Sequence, residues 1–177
     1  MDATPLAQQI ALNLEAAFAE LGFTQPSVAQ LQQRSGVSLK TLYRYYPSKQ
    51  AMVYAALEQR HQRYLQRLAQ GAPAPGPEAV QHAFDQLTHW LRHQAPNGCL
   101  SASALSAFVD DAPLRQQVAD HKRALQTQLG QLAGNAELAM PLLLLHEGIS
   151  AAWPVLGEAV FHHVPAQIHA LFRSTTA

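Results

Sequence analysis

Apolar residues recur every three or four positions along nearly the whole chain, and no segment alternates apolar and polar residues as a strand would. The pattern therefore predicts an all-α fold. Glycine and proline interrupt it at intervals and divide the chain into separate helices. The predicted helices are 5–21, 28–34, 39–45, 48–70, 78–94, 101–109, 113–133, 139–156 and a short last helix over about 164–173.

Small hydroxyl residues stand where the first four helices begin. Such side chains accept a hydrogen bond from a backbone N–H of the first turn and so cap the helix. The expected caps are Thr4, Ser27, Ser38 and Ser48. Gly22 ends the first helix. The stripe that this helix is expected to bury consists of Leu6, Ile10, Leu14 and Phe18.

Residues 28–45 contain two short helices joined by a tight turn at Gly36, inside a unit of three helices. This arrangement is typical of a helix-turn-helix, and glycine tolerates the left-handed backbone that such a turn requires. The second helix of the motif enters the major groove of DNA by its N-terminal half. Leu42 and Tyr46 are four residues apart in it and are expected to face the core.

The stretch TLYRYYPSKQAM, residues 41–52, concentrates phenols and cations. It holds three of the five tyrosines of the chain, and no acidic residue occurs from Leu21 to Leu57. A phenol presents a rigid O–H donor to a phosphate oxygen, and lysine adds charge, so together they can fix a protein on the DNA backbone. Lys49 also begins the fourth helix, where N–H groups and the helix dipole favour an anion.

The charge is distributed unevenly although the net charge is zero. Residues 1–70 hold seven Lys/Arg against four Asp/Glu, a net charge of +3, and residues 71–177 hold five against eight, a net charge of −3. A basic front half and an acidic back half fit a nucleic-acid-binding end joined to another module. With 48% hydrophobic and 14% charged residues, the chain can bury a substantial core.

Residues 10–55 resemble the DNA-binding domain of the TetR family of transcriptional regulators. The similar elements are a first helix ending in ELGF, the segments SVAQL and SGVS, and the signature TLYRYYPSKQAM. The likeness continues more weakly in Gly98-Cys99-Leu100 and in LLLLHEGISAA. It implies an N-terminal helix-turn-helix domain over 1–50 and a C-terminal helical domain for ligand binding and dimerisation over 51–177, with helix 48–70 as the connection.

The resemblance also implies which residues contact DNA. Phosphate contacts are implied for Ser27, Tyr43, Tyr45 and Lys49, and base-edge or groove contacts for Lys40, Thr41 and Arg44. Ser38, which caps the reading helix, is grouped with them as a DNA-binding residue.

Two positions depart from the family pattern. Gln32 stands where the family usually has a small alanine and the paired helices approach closely. Lys40 stands where the family often has glycine. A lysine there could read the O6 and N7 atoms of guanine or bind a phosphate, and the sequence leaves both interpretations open.

Helix 139–156 is apolar on nearly every side, which is typical of a helix buried all round. In a domain this small, one side is expected to pack on its own core and another on a partner subunit; a core helix in a monomer is the alternative. The resemblance favours a homodimer through the helices at about 139–156 and 164–173. A two-fold dimer predicts a palindromic operator in double-stranded DNA.

Two histidines raise the question of a ligand cavity. His121 lies on the apolar stripe of helix 113–133, and His146 interrupts the apolar helix 139–156. Each is either a core histidine with satisfied hydrogen bonds or part of a mostly apolar cavity for an unknown small-molecule effector. The cavity residues on the second interpretation are Phe84, Trp90, Phe108, His121, His146 and Trp153.

The sequence gives little support for a metal site, a disulfide or a catalytic site. His82, His89 and His93 share a stripe that should face solvent, as should His162 and His163, so neither a metal site nor a cofactor is expected. The single cysteine, Cys99, excludes an intramolecular disulfide. No catalytic motif or phosphate loop is present. The pair His146–Glu147 is the only candidate for acid–base catalysis in the sequence. Because adjacent residues on a helix should point apart, the two side chains are not expected to act together.

The segment MDATPLAQQ lacks the pattern of a signal peptide, and the apolar run 138–145 is shorter than a membrane span. A cytoplasmic protein with no membrane partner is therefore expected. The leading interpretation is a ligand-responsive, non-enzymatic transcriptional repressor that binds its operator as a homodimer. The alternatives are an α-helical protein-interaction module or a small helical enzyme, both without DNA binding.

Overall fold

The computed structural model describes residues 4–174, which form helices and no strand. The predicted all-α class is therefore confirmed. The helices are α1 (Pro5–Leu21), α2 (Val28–Ser35), α3 (Leu39–Tyr45), α4 (Lys49–Ala69), α5 (Pro77–His93), α6 (Leu100–Ala107), α7 (Ala112–Ala133), α8 (Ala139–Leu156) and α9 (Val164–Ser174). Short 3₁₀ turns at Ala136–Leu138 and Gly157–Phe161 flank α8.

The predicted caps lie at the starts of the first four helices. The Thr4 hydroxyl accepts the Ala7 N–H at 3.3 Å, and the Ser48 hydroxyl accepts the Ala51 N–H at 3.1 Å. Ser27 goes further and forms a reciprocal capping box with Gln30. These local hydrogen bonds satisfy donors that a helix end otherwise leaves without a partner, which is why the sequence fixes the helix boundaries closely.

The predicted buried stripe of α1 is correct for three residues and wrong for Leu6. Ile10, Leu14 and Phe18 are fully buried, whereas Leu6 is 42% exposed and Ala7 is buried in its place. Residues four apart drift by about 40° around a helix, because each residue turns it by about 100°. Leu6 therefore falls at the edge of the buried face.

Packing divides the chain into two compact units. The first contains the chain up to Arg63 together with Leu100–Gln117, and the second contains Tyr64–Cys99 and the chain from Val118 onward. Helices α4 and α7 each contribute residues to both units. The functional division expected after residue 50 falls within the continuous helix α4 and stays a prediction.

The Pro/Gly segment GAPAPGP, residues 71–77, lies inside the second unit. The Gly76 N–H donates to the Leu132 carbonyl at 2.8 Å, and Pro75 packs next to Gly134. The segment does end α4 and allow α5 to begin, as predicted. It connects the end of α4 to α5 within the second unit, so its composition marks a turn between helices.

The second unit is built around a large apolar core to which α5, α7, α8 and α9 contribute. Within residues 4–174, the longer segment Ala136–Phe161 is apolar enough to cross a membrane by length and composition, although the run 138–145 alone is too short. Length and composition are weak indications for a single helix, however, and α8 buries His146 and Ser150. Polar residues of this kind are rare on lipid-facing helices.

Candidate nucleic-acid interface

The turn between α2 and α3 has the geometry of a helix-turn-helix. Gly36 adopts a left-handed backbone with φ 75° and ψ 13°. The Gln32 side chain donates to the Val37 carbonyl at 2.6 Å, and Asn13 of α1 donates to the Ser35 carbonyl at 3.1 Å. Gln32, which departs from the family pattern, thus holds the turn by a hydrogen bond to its backbone.

Helix α3 is fixed to the first unit by two side chains, as predicted. Leu42 is fully buried, and the half-buried Tyr46 donates its hydroxyl proton to the Ala7 carbonyl at 2.8 Å. Burial raises the pKa of Tyr46, and the neighbouring Tyr45 adds to this effect. Tyr46 therefore remains a neutral donor near neutral pH and acts as an anchor.

The outer face of α3 carries four exposed side chains: Leu39, Lys40, Tyr43 and Arg44. Three of them are predicted DNA contacts, and Leu39 is an addition that the sequence analysis lacks. The helical spacing places Leu39 beside Leu42 and Tyr46, which favours burial, yet the first residue of the helix is 48% exposed. The exposed face thus combines two cations, one phenol and one aliphatic side chain.

Tyr45 and Thr41 lie at the margins of this face and are half-buried. The Arg44 guanidinium carbon lies 5.0 Å from the centre of the Tyr45 ring, a distance typical of a cation–π contact. A hydrogen bond with Thr4 is the main cause that lowers the pKa of Tyr45. Tyr45 and Arg44 therefore support each other beside the exposed face.

Ser27 and Ser38 are exposed and hold the starts of α2 and α3. The Ser27 hydroxyl accepts the Gln30 N–H at 3.3 Å. The Ser38 hydroxyl accepts the Thr41 N–H at 3.2 Å and lies 2.9 Å from the Thr41 hydroxyl. Both serines therefore have a structural role as caps, whatever contacts they make with DNA.

Lys49 has a role that the sequence analysis missed. Its ammonium group donates to the Pro26 carbonyl at 2.8 Å and to the Thr24 carbonyl at 3.3 Å. Burial lowers the pKa of this half-buried lysine. Lys49 thus ties the loop before α2 to the start of α4, and no pattern in the sequence indicates a contact over more than 20 residues.

Two further groups of polar contacts hold helices together in the first unit. The Glu15 carboxylate on α1 accepts from Arg60 at 2.9 Å and from Arg63 at 2.7 Å, both on α4. The Tyr54 hydroxyl on α4 donates to both Asp111 oxygens, at 2.7 and 2.8 Å. The Asp111 hydrogen bond, together with burial and its charge, raises the pKa of Tyr54 to about 12. These contacts hold α1 and the start of α7 against α4.

The predicted cavity residues do not all come together. Trp90 and His146 both contact Tyr64, whose ring centre lies 5.0 Å from that of Trp90, and Phe84 belongs to the same core. Trp153 lies at the edge of that core against Phe161, with ring centres 5.8 Å apart.

The other two predicted cavity residues are His121, in the second unit, and Phe108, in the first. His121 is buried on α7. Phe108 packs on Phe23 in the first unit, with ring centres 6.2 Å apart. The grouping of Phe84, Trp90 and His146 therefore depends on Tyr64, which sequence reasoning did not single out.

A chain of polar groups runs through the second unit from Tyr64 to Lys122. The Tyr64 hydroxyl lies 2.6 Å from His146 Nε2, and His146 Nδ1 lies 3.1 Å from Glu147 Oε1. The Lys122 ammonium donates to both Glu147 oxygens at 2.7 Å and lies 3.7 Å from the half-buried Cys99 sulfur. The expectation that His146 and Glu147 point apart is wrong, because their side chains bend toward each other.

The pKa values of three groups in this polar chain differ from their ordinary values. Burial lowers the pKa of His146, and this effect outweighs the raising effect of Glu147. Burial alone would raise the pKa of Glu147, but the hydrogen bond from His146 and the charge of Lys122 lower it to about 2. Burial raises the pKa of Tyr64, and the Glu147 charge adds to the shift. At neutral pH the chain therefore contains a neutral phenol, a neutral imidazole and a carboxylate.

The other histidines considered in the sequence are predicted to face solvent. His89, His93, His162 and His163 are exposed, and His82 is half-buried with its Nε2 atom 3.1 Å from the Gln70 carbonyl. The rings of His89 and His93 lie 4.4 Å apart. Within the described part of the chain, no three His, Cys, Asp or Glu residues are grouped closely enough to hold a metal ion.

Known proteins resemble the chain in sequence over its first third and in structure throughout. Residues 14–56 match the sequence profile of bacterial regulatory proteins of the tetR family. A TetR-family transcriptional regulator from Streptomyces coelicolor has a TM-score of 0.84 at 19% identity, over 98% of this chain and 92% of that one. The reduced form of NemR from E. coli has a TM-score of 0.75 at 20% identity, over 96% and 97% of the two chains. No curated protein matches the chain in sequence.

These observations define a helix-turn-helix DNA-binding domain joined to a helical domain. The structural likeness, at identities below 25%, establishes the fold, and the sequence match covers the DNA-binding part. Residues 14–56 are therefore similar to the DNA-binding part of TetR-family regulators, and the described part of the chain has the fold of such regulators.

Proposed function

We propose that this protein is a repressor that binds a palindromic operator as a homodimer and releases it when a small molecule binds the second unit. The exposed face of α3 carries the proposal. Lys40, Tyr43 and Arg44 project from a helix that Leu42 and Tyr46 fix to its unit. In a helix-turn-helix this is the helix that enters the major groove.

The phosphate contacts in this proposal come from Tyr43, Tyr45, Lys49 and Ser27, and the base contacts from Lys40, Thr41 and Arg44. The caps Ser27 and Ser38 keep exposed hydroxyl groups beside backbone N–H groups at the helix starts. Lys49 contributes charge although its ammonium group already bonds two carbonyls. Its removal would therefore disturb the loop before α2 as well as any DNA contact.

The dimer is supported by an apolar face on α8 that its own unit does not cover. Met140, Leu144 and Val155 are 48%, 64% and 84% exposed. Exposed apolar side chains that follow one another along a single helix are typical of a protein-interaction surface. A second copy of the chain, joined through α8 and α9, would cover this face and account for it in a cytoplasmic protein.

The effector site is proposed near the polar chain from Tyr64 to Lys122. A mostly apolar surrounding with a few fixed polar groups suits a small organic ligand. Helix α4 has residues in both units, so a ligand that prefers one position of α4 would change the population of DNA-binding conformers.

The decisive experiment measures binding of the purified dimer to DNA selected from a random pool, at several salt concentrations. The variant Tyr43→Phe should weaken binding to all sequences and leave the salt slope unchanged, because the phenol is uncharged. The matched control is Arg123→Ala, an exposed arginine of the second unit, which should bind as the wild type does. If no sequence is enriched, or if Tyr43→Phe binds as tightly as the wild type, the proposal fails.

The variant Lys40→Ala tests whether Lys40 binds a phosphate or a guanine, which the sequence leaves open. A phosphate contact would lower affinity on all sequences and reduce the salt slope by about 0.9 per contact. A contact with guanine would instead relax the preference at one position of each half-site. The same selected DNA serves for both measurements.

For the effector, thermal-shift screening should find compounds that stabilise the wild type. A Tyr64→Phe variant should respond more weakly to them if the polar chain lies at the site. His121→Ala, which changes another buried side chain of the second unit, separates a loss of stability from a loss of ligand response. An unchanged response in Tyr64→Phe would place the site elsewhere.

A further inference from the structure

Leu39 is the feature of the reading helix that the proposed function does not explain. It is the first residue of α3 and is 48% exposed, although Leu42 on the same helix is fully buried. A single exposed leucine carries little information, because folded proteins expose many apolar atoms. The position of Leu39 is what matters, since its neighbours on the exposed face are Lys40, Tyr43 and Arg44.

The local geometry keeps Leu39 on that face. Ser38 caps the helix, and its hydroxyl bonds both the N–H and the hydroxyl of Thr41. The preceding turn is fixed by Gly36 and by the hydrogen bond from Gln32 to the Val37 carbonyl. The side chain of Leu39 therefore leaves a rigid turn at the N-terminal half of the helix, the part that contacts base edges in helix-turn-helix complexes.

The major groove presents one apolar group, the C5-methyl of thymine, among hydrogen-bond donors and acceptors. A leucine side chain has no donor or acceptor of its own. Placed against guanine, adenine or cytosine edges, it would remove water from polar groups without replacing their hydrogen bonds. Against a thymine methyl it buries apolar surface on both sides.

We infer that Leu39 is a specificity-determining residue that reads the methyl group of a thymine in each half-site of the operator. The inference rests on the proposed function, because it requires that α3 enters the major groove. Leu39 and Lys40 then form adjacent reading positions with opposite chemistry. Lys40 favours an acceptor or a phosphate, and Leu39 favours a methyl group.

The test uses DNA enriched by the wild-type protein from a random pool. Each thymine of the enriched site is replaced in turn by deoxyuridine, which removes only the methyl group. Loss of one buried methyl corresponds to about a fourfold weaker affinity, and we expect this loss at one thymine per half-site. Placing 5-methylcytosine there should restore part of the affinity that cytosine loses.

Leu39→Ala should bind the thymine and deoxyuridine sites with equal affinity. Leu6→Ala is the matched control, because Leu6 is 42% exposed on α1 and undergoes the same change in side chain. It should retain the wild-type sensitivity to deoxyuridine. Thermal unfolding of both variants checks that each remains folded.

The possible outcomes separate the two claims. If the wild type enriches a site but no thymine in it is sensitive to deoxyuridine, the role of Leu39 is refuted and DNA binding stands. The same holds if Leu39→Ala keeps the full sensitivity. If no DNA is enriched, the inference and the proposed function fail together.

Discussion

Two exposed helical faces, one in each unit, differ in their chemistry. In the first unit, α3 exposes two cations, a phenol and one leucine. In the second, α8 exposes the apolar side chains Met140, Leu144 and Val155. The face on α3 is complementary to a polyanion such as DNA, whose major groove carries a pattern of polar and apolar groups. The face on α8 is complementary to another apolar protein surface. The chemistry that a unit leaves uncovered thus indicates its partner.

The interiors differ in a related way. The first unit fixes its helices with a carboxylate, Glu15, held by Arg60 and Arg63. The second contains a chain of hydrogen bonds in which Tyr64 and His146 are neutral groups. In this chain the neutral groups are joined to the ion pair of Glu147 and Lys122.

The largest expected effect comes from placing a charge on the apolar face of α8. Leu144→Glu should convert the dimer into a monomer, because burying an unpaired carboxylate in the interface is costly. Affinity for a palindromic site should then fall by about 10²- to 10⁴-fold, since the two half-sites no longer bind together. Sedimentation and DNA titration measure the two effects.

Val109→Glu is the matched control for this change. Val109 is 62% exposed and Leu144 is 64% exposed, but Val109 belongs to the first unit. The control should remain a dimer with normal affinity. A wild-type protein that is monomeric at micromolar concentration would refute the role given to α8.

The next effect concerns the interior of the first unit. Glu15→Ala leaves Arg60 and Arg63 without the carboxylate that they share. Breaking a buried ion pair costs about 3–5 kcal/mol, which urea unfolding would detect directly. Glu20→Ala breaks the exposed pair with Arg34 and should change stability little. Equal losses in the two variants would contradict the role of Glu15 as a buried clamp.

Tyr64→Phe tests the interior of the second unit. It removes the hydroxyl group that lies 2.6 Å from His146 Nε2 and leaves a buried ring nitrogen without that bond. The expected loss is about 1–3 kcal/mol in the free energy of unfolding. Tyr43→Phe makes the same change on the exposed face of α3 and should be nearly neutral. An unchanged stability in Tyr64→Phe would contradict the contribution assigned to this hydrogen bond.

The smallest effect is a dependence of stability on pH. Burial lowers the pKa of His146 in the folded protein, whereas the unfolded chain takes up a proton near pH 6.5. The stability that the neutral ring provides is therefore complete above about pH 6.5 and falls as the pH drops toward the folded pKa. The melting temperature should decrease between pH 7.5 and 5, and His146→Gln should show less of this decrease.

His162→Gln is the control for this prediction, because His162 is exposed. Its melting temperature should follow the wild-type profile. If His146→Gln kept the full pH dependence, the titration would belong to other groups.

Much of the fold could be predicted because its determinants are local. The capping serines, the glycines that end helices and the 3.6-residue periodicity act within a few residues of one another. The bounds of α1 and α8 follow the predicted ranges for this reason. The anchors of α3, Leu42 and Tyr46, could also be predicted, since two residues four apart on a short helix share one face.

The remaining features could not be predicted because they depend on contacts between distant segments. Periodicity places Leu6 and Leu39 near buried faces, but whether another helix covers them depends on tertiary packing. Lys49 bonds carbonyls more than 20 residues earlier in the chain. The side chains of His146 and Glu147 turn toward each other, and Tyr64 and Lys122 hold them from α4 and α7.

The sequence by itself determined the helical class, the helix-turn-helix and the candidate reading residues of α3, since periodicity, caps and the signature TLYRYYPSKQAM are local properties. The tertiary structure decided which side chains are left uncovered and which polar groups meet inside each unit. Exposure and burial depend on what the rest of the chain brings to a surface, and no local pattern contains that information. Leu39 shows this most clearly, because only its exposure on α3 supports the proposal that it reads DNA.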